Sequence, residues 1–230
     1  MAVLAERLIA EEMMDDPALP VATYTQVLHD LAKVNRMTFA YRPTLAFIRR
    51  AVGRRQRFSV LDVGFGNGDM LRRIARAAAA RGQAAHLVGV DLNANSVRAA
   101  QAVTDTALPI TYRHGDYADL AHGEWDCIIS SLVAHHMTGE QLIAFLRFMD
   151  RHARAGWFVN DLHRHAFAYY GYPLLARLMR WHPIVRHDGR MSIARSYRPR
   201  EWPHLLTEAG VSDACVFRAF PFRLCVEKLR

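Results

Sequence analysis

The stretch from Phe58 to Met70, FSVLDVGFGNGDM, constrains the fold more than any other part of the chain. It opens with an apolar run of the kind that fills a buried parallel strand. Three glycines follow at alternate positions, Gly64, Gly66 and Gly68, and the apolar residues then take helical spacing. Such a turn lets a ligand approach the backbone and presents free N–H groups at the start of the helix. The stretch therefore predicts a nucleotide-type binding site.

Acidic residues accompany this turn and two later strands. Asp62 precedes the glycines, and the pattern Asp-x-Gly-x-Gly-x-Gly differs from the dinucleotide fingerprint, whose third glycine comes one residue later. Asp91 ends a second apolar strand, HLVGVDLN, and Asp116 follows a third, ITYRHGD. An acid at the end of the second strand is placed to accept hydrogen bonds from both ribose hydroxyls of an adenosine. The acids therefore extend the predicted site.

This series of motifs closely resembles the class I methyltransferases that use S-adenosylmethionine, over the range Phe58 to Asp161. The resemblance implies an α/β, Rossmann-like fold, in which a seven-stranded, mostly parallel sheet carries an antiparallel C-terminal strand. It also implies S-adenosyl-L-methionine as cofactor and S-adenosyl-L-homocysteine as product, with Asp116 at the adenine amino group and Tyr117 beside the ring. The residues that match the family's cofactor site are Asp62, Gly64, Gly66, Asn67, Gly68, Asp91, Leu92, Asp116, Tyr117 and Ser131.

Strand and helix patterns alternate regularly after residue 58, which predicts a parallel sheet covered by helices on both faces. Two further apolar runs on either side of Pro221 predict a closing pair of strands. We expect residues 1–57 to form an N-terminal helical extension, and Ala2 to Met14 has the spacing of its first helix. Residues 58–230 are expected to form the methyltransferase domain.

Residues 162–202 form an insertion that is too long for a simple crossover. Its first half, AFAYYGYPLLARLMRWHPIV, is aromatic and apolar, which favours a lid over a hydrophobic acceptor. The pair Asp188-Gly189 further along is a turn signal. The candidate acceptor-binding residues come from the N-terminal helices, the fifth strand and the lid, and they are Tyr24, Arg36, Asp161, Tyr170 and Leu174.

Methyl transfer to a phenol requires a base at neutral pH, because the pKa of a phenol is about 10. The stretch LVAHHMTGEQ resembles the part of small-molecule O-methyltransferases whose histidine deprotonates a phenol, and the match places this base at His135. His136 replaces the family's aspartate, and His163 is a further candidate base after the fifth strand. The alternative, that the histidine pair only shapes the loop beside the cofactor, stays open. No His, Cys or carboxylate cluster has metal-ligand spacing, so we expect no metal.

The motifs favour O-methylation of a hydrophobic aromatic small molecule, a phenol or quinol, as in the similar bacterial methyltransferases associated with phenolic polyketide products. Methylation of carbon on an aromatic or quinone ring is the alternative. The chain lacks the Asn/Asp-Pro-Pro-Tyr/Phe sequence of amino-methylating nucleic-acid enzymes and the Pro-Cys nucleophile of the C5 pyrimidine enzymes. An RNA methyltransferase would use the basic run from Arg49 to Arg57 as its phosphate track, and we expect no nucleic-acid partner.

Composition sets the remaining expectations. A hydrophobic content of 51% over 230 residues suits one globular domain with a sizeable core. No stretch resembles a signal peptide or a membrane span. Cys127, Cys215 and Cys225 each lie in an apolar, strand-like context, which predicts buried reduced thiols and a cytoplasmic protein. A monomer and a homodimer are both compatible with these features.

Overall fold

The computed structural model describes residues 4–211 and 213–230. Its centre is a seven-stranded sheet with the strand order β3-β2-β1-β4-β5-β7-β6. In chain order the strands are β1 Arg57–Val63, β2 Ala84–Asp91, β3 Ile110–His114, β4 Trp125–Ser131, β5 Ala153–Leu162, β6 Cys215–Ala219 and β7 Arg223–Leu229.

Five neighbouring strands, β1 to β5, pair in parallel, whereas β7 runs antiparallel between β5 and β6. The prediction of a mostly parallel sheet closed by an antiparallel C-terminal strand is therefore confirmed. The chain moves outward through β2 and β3 on one side of β1 and through β4 and β5 on the other. Ligands of open α/β sheets bind at the carboxyl ends of the strands where the order reverses in this way.

Helices cover both faces of the sheet. In chain order they are α1 Val21–Met37, α2 Tyr41–Val52, α3 Asp69–Ala79, α4 Ala94–Ala102, α5 Gly139–His152, α6 Ala166–Leu178, α7 Pro183–Arg195 and α8 Trp202–Ala209. β1 is buried on both faces, as a central parallel strand must be. Leu61 and Val63 pack in one cluster with Trp157, while Val60 packs in the opposite cluster with Phe47.

The N-terminal segment differs from the prediction. Residues 4–20, which we call the strap, contain no α-helix, and their regular structure near the cavity is one turn of 3₁₀-helix at Met13–Asp15. The backbone N–H groups of Met13 and Met14 donate to the carboxylate of Asp188 at 3.1 and 2.9 Å. Leu8 donates to the carbonyl of Ala194. The strap is not helical because its backbone finds partners on α7 instead.

The predicted turn at Asp188-Gly189 is also wrong, because both residues lie inside α7. Asp188 is buried and binds the strap, as described above. Gly189 faces the ring of Tyr172 on α6, and a Cβ at this position would lie 2.3 Å from that ring. The glycine therefore allows the two helices of the lid to pack closely.

Two smaller expectations have different outcomes. Cys127 and Cys225 are buried as predicted, but Cys215 is exposed, since it lies on the edge strand β6. Within the described residues, every helix is too short or too polar to cross a membrane.

The lid offers a matched test of this packing. We expect Gly189→Ala to lower the free energy of unfolding by about 1–3 kcal/mol, because the new methyl group must displace the Tyr172 ring. Gly171→Ala in α6 meets open space, so it should be neutral or stabilise the protein by up to about 1 kcal/mol. Urea denaturation measures both changes. Equal effects of the two substitutions would contradict this account of the α6–α7 contact.

Candidate active site

A cavity of about 980 Å³ opens at the carboxyl ends of the parallel strands. The turn from Gly64 to Gly68, which we call the glycine turn, forms its floor together with the ends of β2 and β4. The strap and α1 cover one side, and the lid covers the other. The predicted cofactor residues that line the cavity are Asp62, Gly64, Gly66, Asn67, Asp91, Leu92, Asp116, Tyr117 and Ser131.

The three glycines of the turn all have positive φ, between 57° and 74°, but they have different roles. A Cβ on Gly64 would lie 2.3 Å from the side chain of Val133, so this glycine brings β1 close to the loop after β4. A Cβ on Gly68 would lie 2.3 Å from the hydroxyl of Tyr112. Gly68 does not line the cavity; it precedes α3 and serves packing. Gly66 faces the cavity directly.

Asp91 is held at the end of β2 by backbone donors. Its Oδ2 accepts the N–H of Gly66 at 3.0 Å, and its Oδ1 accepts the N–H of Asn93 at 2.9 Å. Burial raises the pKa of this carboxyl group, although both N–H groups oppose the shift. The carboxylate therefore has a fixed orientation at the cavity wall. Tyr24 of α1 lies on the same side, where its hydroxyl is 2.8 Å from Oγ of Ser96.

Two polar groups on the cavity floor lack a partner among the described residues. Asp62 is only 2% exposed and makes no hydrogen bond or ion pair. Burial, and then the charges of Asp69 and Asp91, raise its pKa well above the usual value. The hydroxyl of Ser131 is also buried without a partner. A ligand with an ammonium group would bring Asp62 the opposite charge that it lacks, and S-adenosylmethionine carries such a group beside its carboxylate.

Asp116 and Tyr117 line the side of the cavity near β3. Asp116 is exposed, and its Oδ1 caps the 3₁₀-helix Tyr117–Leu120 by accepting the N–H of Ala118 at 2.8 Å. The ring of Tyr117 packs against Phe145 and Phe148, with both ring centroids 4.8 Å away. Each residue thus has a structural contact and also faces the cavity.

His135 is held by Asp161 across the ends of β4 and β5. Its Nδ1 lies 2.7 Å from Oδ1 of Asp161, and its backbone N–H donates to Oδ2 at 2.8 Å. Its Nε2 points away from Asp161 toward the strap, where Oε1 of Glu12 is 3.5 Å distant. Burial lowers the pKa of His135, but the charge of Asp161, with that of Glu12, outweighs it and raises the pKa to about 9. His135 is therefore mainly in its doubly protonated, positively charged form at neutral pH.

Glu12 joins the strap to the lid as well as to His135. It is 4% exposed, and its Oε1 accepts the hydroxyl of Ser192 at 2.8 Å and lies 3.5 Å from Nη1 of Arg195. Burial raises its pKa, yet the hydrogen bond and charge of His135 outweigh burial, so the net pKa is lowered. Glu12 is thus a buried carboxylate that is surrounded by two cationic side chains, His135 and Arg195, and by the hydroxyl of Ser192.

His136 belongs to the same cluster. Its Nδ1 lies 3.2 Å from Oδ2 of Asp15, and its Nε2 lies 3.9 Å from Glu12. The side chains of Glu12, His135 and His136 place one ligand atom each within 4.8 Å of one another. Arg195 and Ser192 already occupy the Glu12 oxygen, which does not favour a metal ion there. The absence of a metal stays a prediction.

Three predicted site residues, Arg36, Asp161 and His163, do not line the cavity. Asp161 contacts His135, which does. His163 is buried outside the cavity, and burial, with the charges of His165 and Arg218, lowers its pKa to about 4. Arg36 is exposed on the outer side of α1, near Lys33 and other basic side chains. The structure therefore does not support His163 as a base or Arg36 as an acceptor-binding residue.

The lid residues chosen from the sequence lie on the wrong face of α6. Tyr170 and Leu174 are 59% and 74% exposed on the outer face. The inner face of α6 lines the cavity through residues at helical spacing, Ala168, Gly171, Tyr172 and Leu175. α6 is apolar around most of its circumference, so its periodicity could not indicate which face packs inward.

Several further residues on the cavity wall were not predicted from the sequence. Glu12, Asp15 and Arg195 form the cluster around His135, and Asn35 and Arg223 lie near the start of β7. Arg223 could have been noticed in the sequence, because it directly precedes the apolar run Leu224 to Val226. The others lie in polar stretches that look solvated.

Comparisons with known proteins agree with this geometry. Residues 60–156 match the family model described as a methyltransferase domain, whereas curated proteins provide no match. The fold is similar to the plantazolicin methyltransferase in complex with S-adenosylhomocysteine (TM-score 0.64, 15% identity, covering 90% of this chain and 95% of that one). It is similar to the human N-acetylserotonin methyltransferase in complex with S-adenosylmethionine (TM-score 0.66, 16% identity, covering 97% of this chain and 60% of that one).

A third similar structure is the magnesium protoporphyrin IX methyltransferase of Synechocystis (TM-score 0.56, 18% identity, covering 94% of this chain and 90% of that one). Identities this low show the fold alone. The family match extends from β1 through β4 to the start of β5, and this range carries the glycine turn and the acids at the ends of β2 and β3. On this evidence residues 60–156 match a methyltransferase domain, and the chain has the fold of the class I methyltransferases.

Proposed function

We propose that the chain methylates a hydroxyl group of a hydrophobic aromatic small molecule, such as a phenol or quinol. One observation carries the proposal: His135, which is held by Asp161, lies on the wall of the same cavity as the glycine turn. When bound, S-adenosylmethionine supplies a methyl group on a positively charged sulfur. The protein must then position the acceptor, exclude water and accept the proton that the hydroxyl group loses.

The floor of the cavity suits the cofactor. In this proposal the carboxylate of Asp91 accepts hydrogen bonds from the ribose hydroxyls, while Asp116 and Tyr117 face the adenine. Asp62 binds the ammonium group, which explains why this buried carboxylate has no partner in the protein. The backbone at Gly66 approaches the ligand most closely, because no side chain stands between it and the cavity.

The upper walls suit an apolar acceptor. Met14 of the strap, Leu31 of α1, and Tyr172 and Leu175 of α6 line them. The hydroxyl of Tyr172 is occupied by the carbonyl of Val185 at 2.7 Å, so the ring offers the cavity mainly its apolar surface. Such walls exclude water from the acceptor.

His135 handles the proton. Asp161 occupies Nδ1, so Nε2, which also faces Glu12 at 3.5 Å, is the ring atom left to take a proton from the acceptor. Because the pKa of His135 is about 9, only a small fraction of the histidine is neutral at pH 7. The histidine should therefore act as a strong base whose active form becomes more abundant as the pH rises to 9. The pKa of His135 thus differs from that of a free histidine, which lies close to neutrality.

The alternatives are less well supported. Methylation of carbon on an aromatic or quinone ring would use the same cavity but need no base at the acceptor. RNA methylation is disfavoured because the basic run Arg49 to Arg57 leads into the amino end of β1, whereas the cavity lies at the carboxyl ends. Arg50 is also paired with Glu227 at 2.8 Å, and Arg55 with Asp126 at 3.2 Å.

Asp91 tests the cofactor assignment. Asp91→Ala should weaken the binding of S-adenosylhomocysteine by about 2–4 kcal/mol, because two charge-assisted hydrogen bonds are lost. Isothermal titration calorimetry measures the change. Asp119→Ala is the control, since this acid is exposed and does not line the cavity. An unchanged affinity in Asp91→Ala would remove Asp91 from the cofactor site.

His135 tests the choice between oxygen and carbon as acceptor. With an active phenol from a labelled-methyl screen, His135→Ala should lower kcat at pH 7 by about a hundred- to ten-thousand-fold and leave cofactor affinity nearly unchanged. The loss should shrink toward pH 10, because the phenol then ionises without help. His163→Ala, outside the cavity, should keep its activity. Full activity of His135→Ala would instead favour carbon as acceptor.

Glu12 tests the charge around the base. Glu12→Gln removes a negative charge that raises the pKa of His135, so the rising limb of log kcat/KM should move to lower pH. Glu11→Gln, an exposed neighbour, should leave the profile in place. A profile that does not move in Glu12→Gln would show that His135 is not the group that titrates.

A further inference from the structure

Arg223 is a buried cation in the wall of the cavity. It is 3% exposed, at the start of β7, and its Nη2 donates to Oδ1 of Asn35 at 3.2 Å and to Oγ1 of Thr38 at 3.4 Å. Both acceptors are neutral, and no carboxylate of the described residues forms an ion pair with it. All three side chains line the cavity.

Burying such a charge destabilises the protein, because the guanidinium group loses its hydration and needs an anion to compensate for it. Two other buried arginines have one: Arg164 pairs with Glu201, and Arg195 lies 3.5 Å from Glu12. A third, Arg72, donates to the carbonyl of Asn67 and the hydroxyl of Thr104. Asp161 is the acid whose charge acts on Arg223, but His135 and a backbone N–H occupy its oxygens. The chain itself therefore leaves this cation without an anion.

The unused polar groups of Arg223 and Asn35 are hydrogen-bond donors. Arginine only donates hydrogen bonds, so the oxygen of Asn35 must face it, and the amide NH₂ of Asn35 has no partner among the described residues. The guanidinium has five N–H donors, of which Nη2 provides the ones used within the protein. The wall thus presents unused donors and no free acceptor.

We propose that Arg223 and Asn35 form a carboxylate-binding subsite, and that the acceptor is an aromatic hydroxy acid. A planar carboxylate accepts two parallel hydrogen bonds from a guanidinium and has no donor of its own, so it matches this wall. Arg223 pairs in register with Leu162, next to Asp161, which holds His135. The carboxylate would orient the acceptor, with its hydroxyl at His135 and its apolar remainder against the lid. The hydroxyl part of this inference rests on the proposed function, whereas the carboxylate part does not.

Matched ligands test the subsite. The probes are the three hydroxybenzoate isomers and the corresponding hydroxybenzamides, which have nearly the same shape and no charge. We expect the wild-type protein, saturated with S-adenosylhomocysteine, to bind at least one hydroxybenzoate about tenfold or more tightly than its amide, as measured by calorimetry. Equal affinities, or no binding of any carboxylate even at tens of millimolar, would overturn the proposal.

Variants locate the effect. Arg223→Met should abolish the preference for the carboxylate, and Arg223→Lys should keep part of it, because lysine retains the charge but loses the planar fork. Asn35→Ala should weaken carboxylate binding alone and serves as the second variant if Arg223→Met fails to fold. A preference that survives in Arg223→Met, or in Asn35→Ala where the first is unfolded, places the carboxylate elsewhere and overturns the subsite.

A separate measurement distinguishes failure of the carboxylate subsite from failure of the proposed O-methylation. Methyl transfer is followed with labelled cofactor on the same probes and on neutral phenols. A carboxylate preference without transfer to any hydroxyl would leave the subsite standing and remove the O-methylation proposal. Transfer to phenols without a carboxylate preference would do the reverse.

Discussion

The buried carboxylate of Asp161 is the contact on which the geometry of the site depends. It accepts the ring N–H and the backbone N–H of His135 and also the backbone N–H of Leu162, so one side chain ties the loop after β4 to the end of β5. Because it is fully enclosed, its charge is screened little and acts strongly on its neighbours. It fixes the orientation of His135 and at the same time raises the pKa of that histidine. The position and the raised pKa of His135 thus have one physical source.

The strap completes this arrangement from the far end of the chain. Glu12 adds a second negative charge beside His135, while Arg195 and Ser192 of the lid hold Glu12 in place. Arg7 donates to the carbonyls of His135 and Met137 and so braces the same loop. Opposite charges alternate through this buried cluster, which is how charged groups tolerate removal from water. The strap therefore forms part of the cavity wall around His135.

The cavity is electrostatically uneven. Asp62 and Asp91 place two carboxyl groups on the cofactor side, which suits a ligand that carries a sulfonium and an ammonium group. Arg223 gives the wall near β7 positive charge, which suits an acidic acceptor. The lid between them contributes apolar surface from Tyr172 and Leu175. Two ligands of opposite charge would thereby be directed to different parts of one cavity.

The sequence by itself determined the sheet, the glycine turn and the acids at the strand ends, because these depend on short-range patterns: apolar runs, glycines with positive φ and residues adjacent in the chain. It also indicated His135. Only the tertiary structure decided that the strap is extended, that Asp188-Gly189 lies inside a helix and which face of α6 looks inward. It alone brought Glu12 and Arg223 to the cavity. Most of these features rest on contacts between residues more than a hundred positions apart, whose partners satisfy backbone groups and charges that look solvated in the sequence.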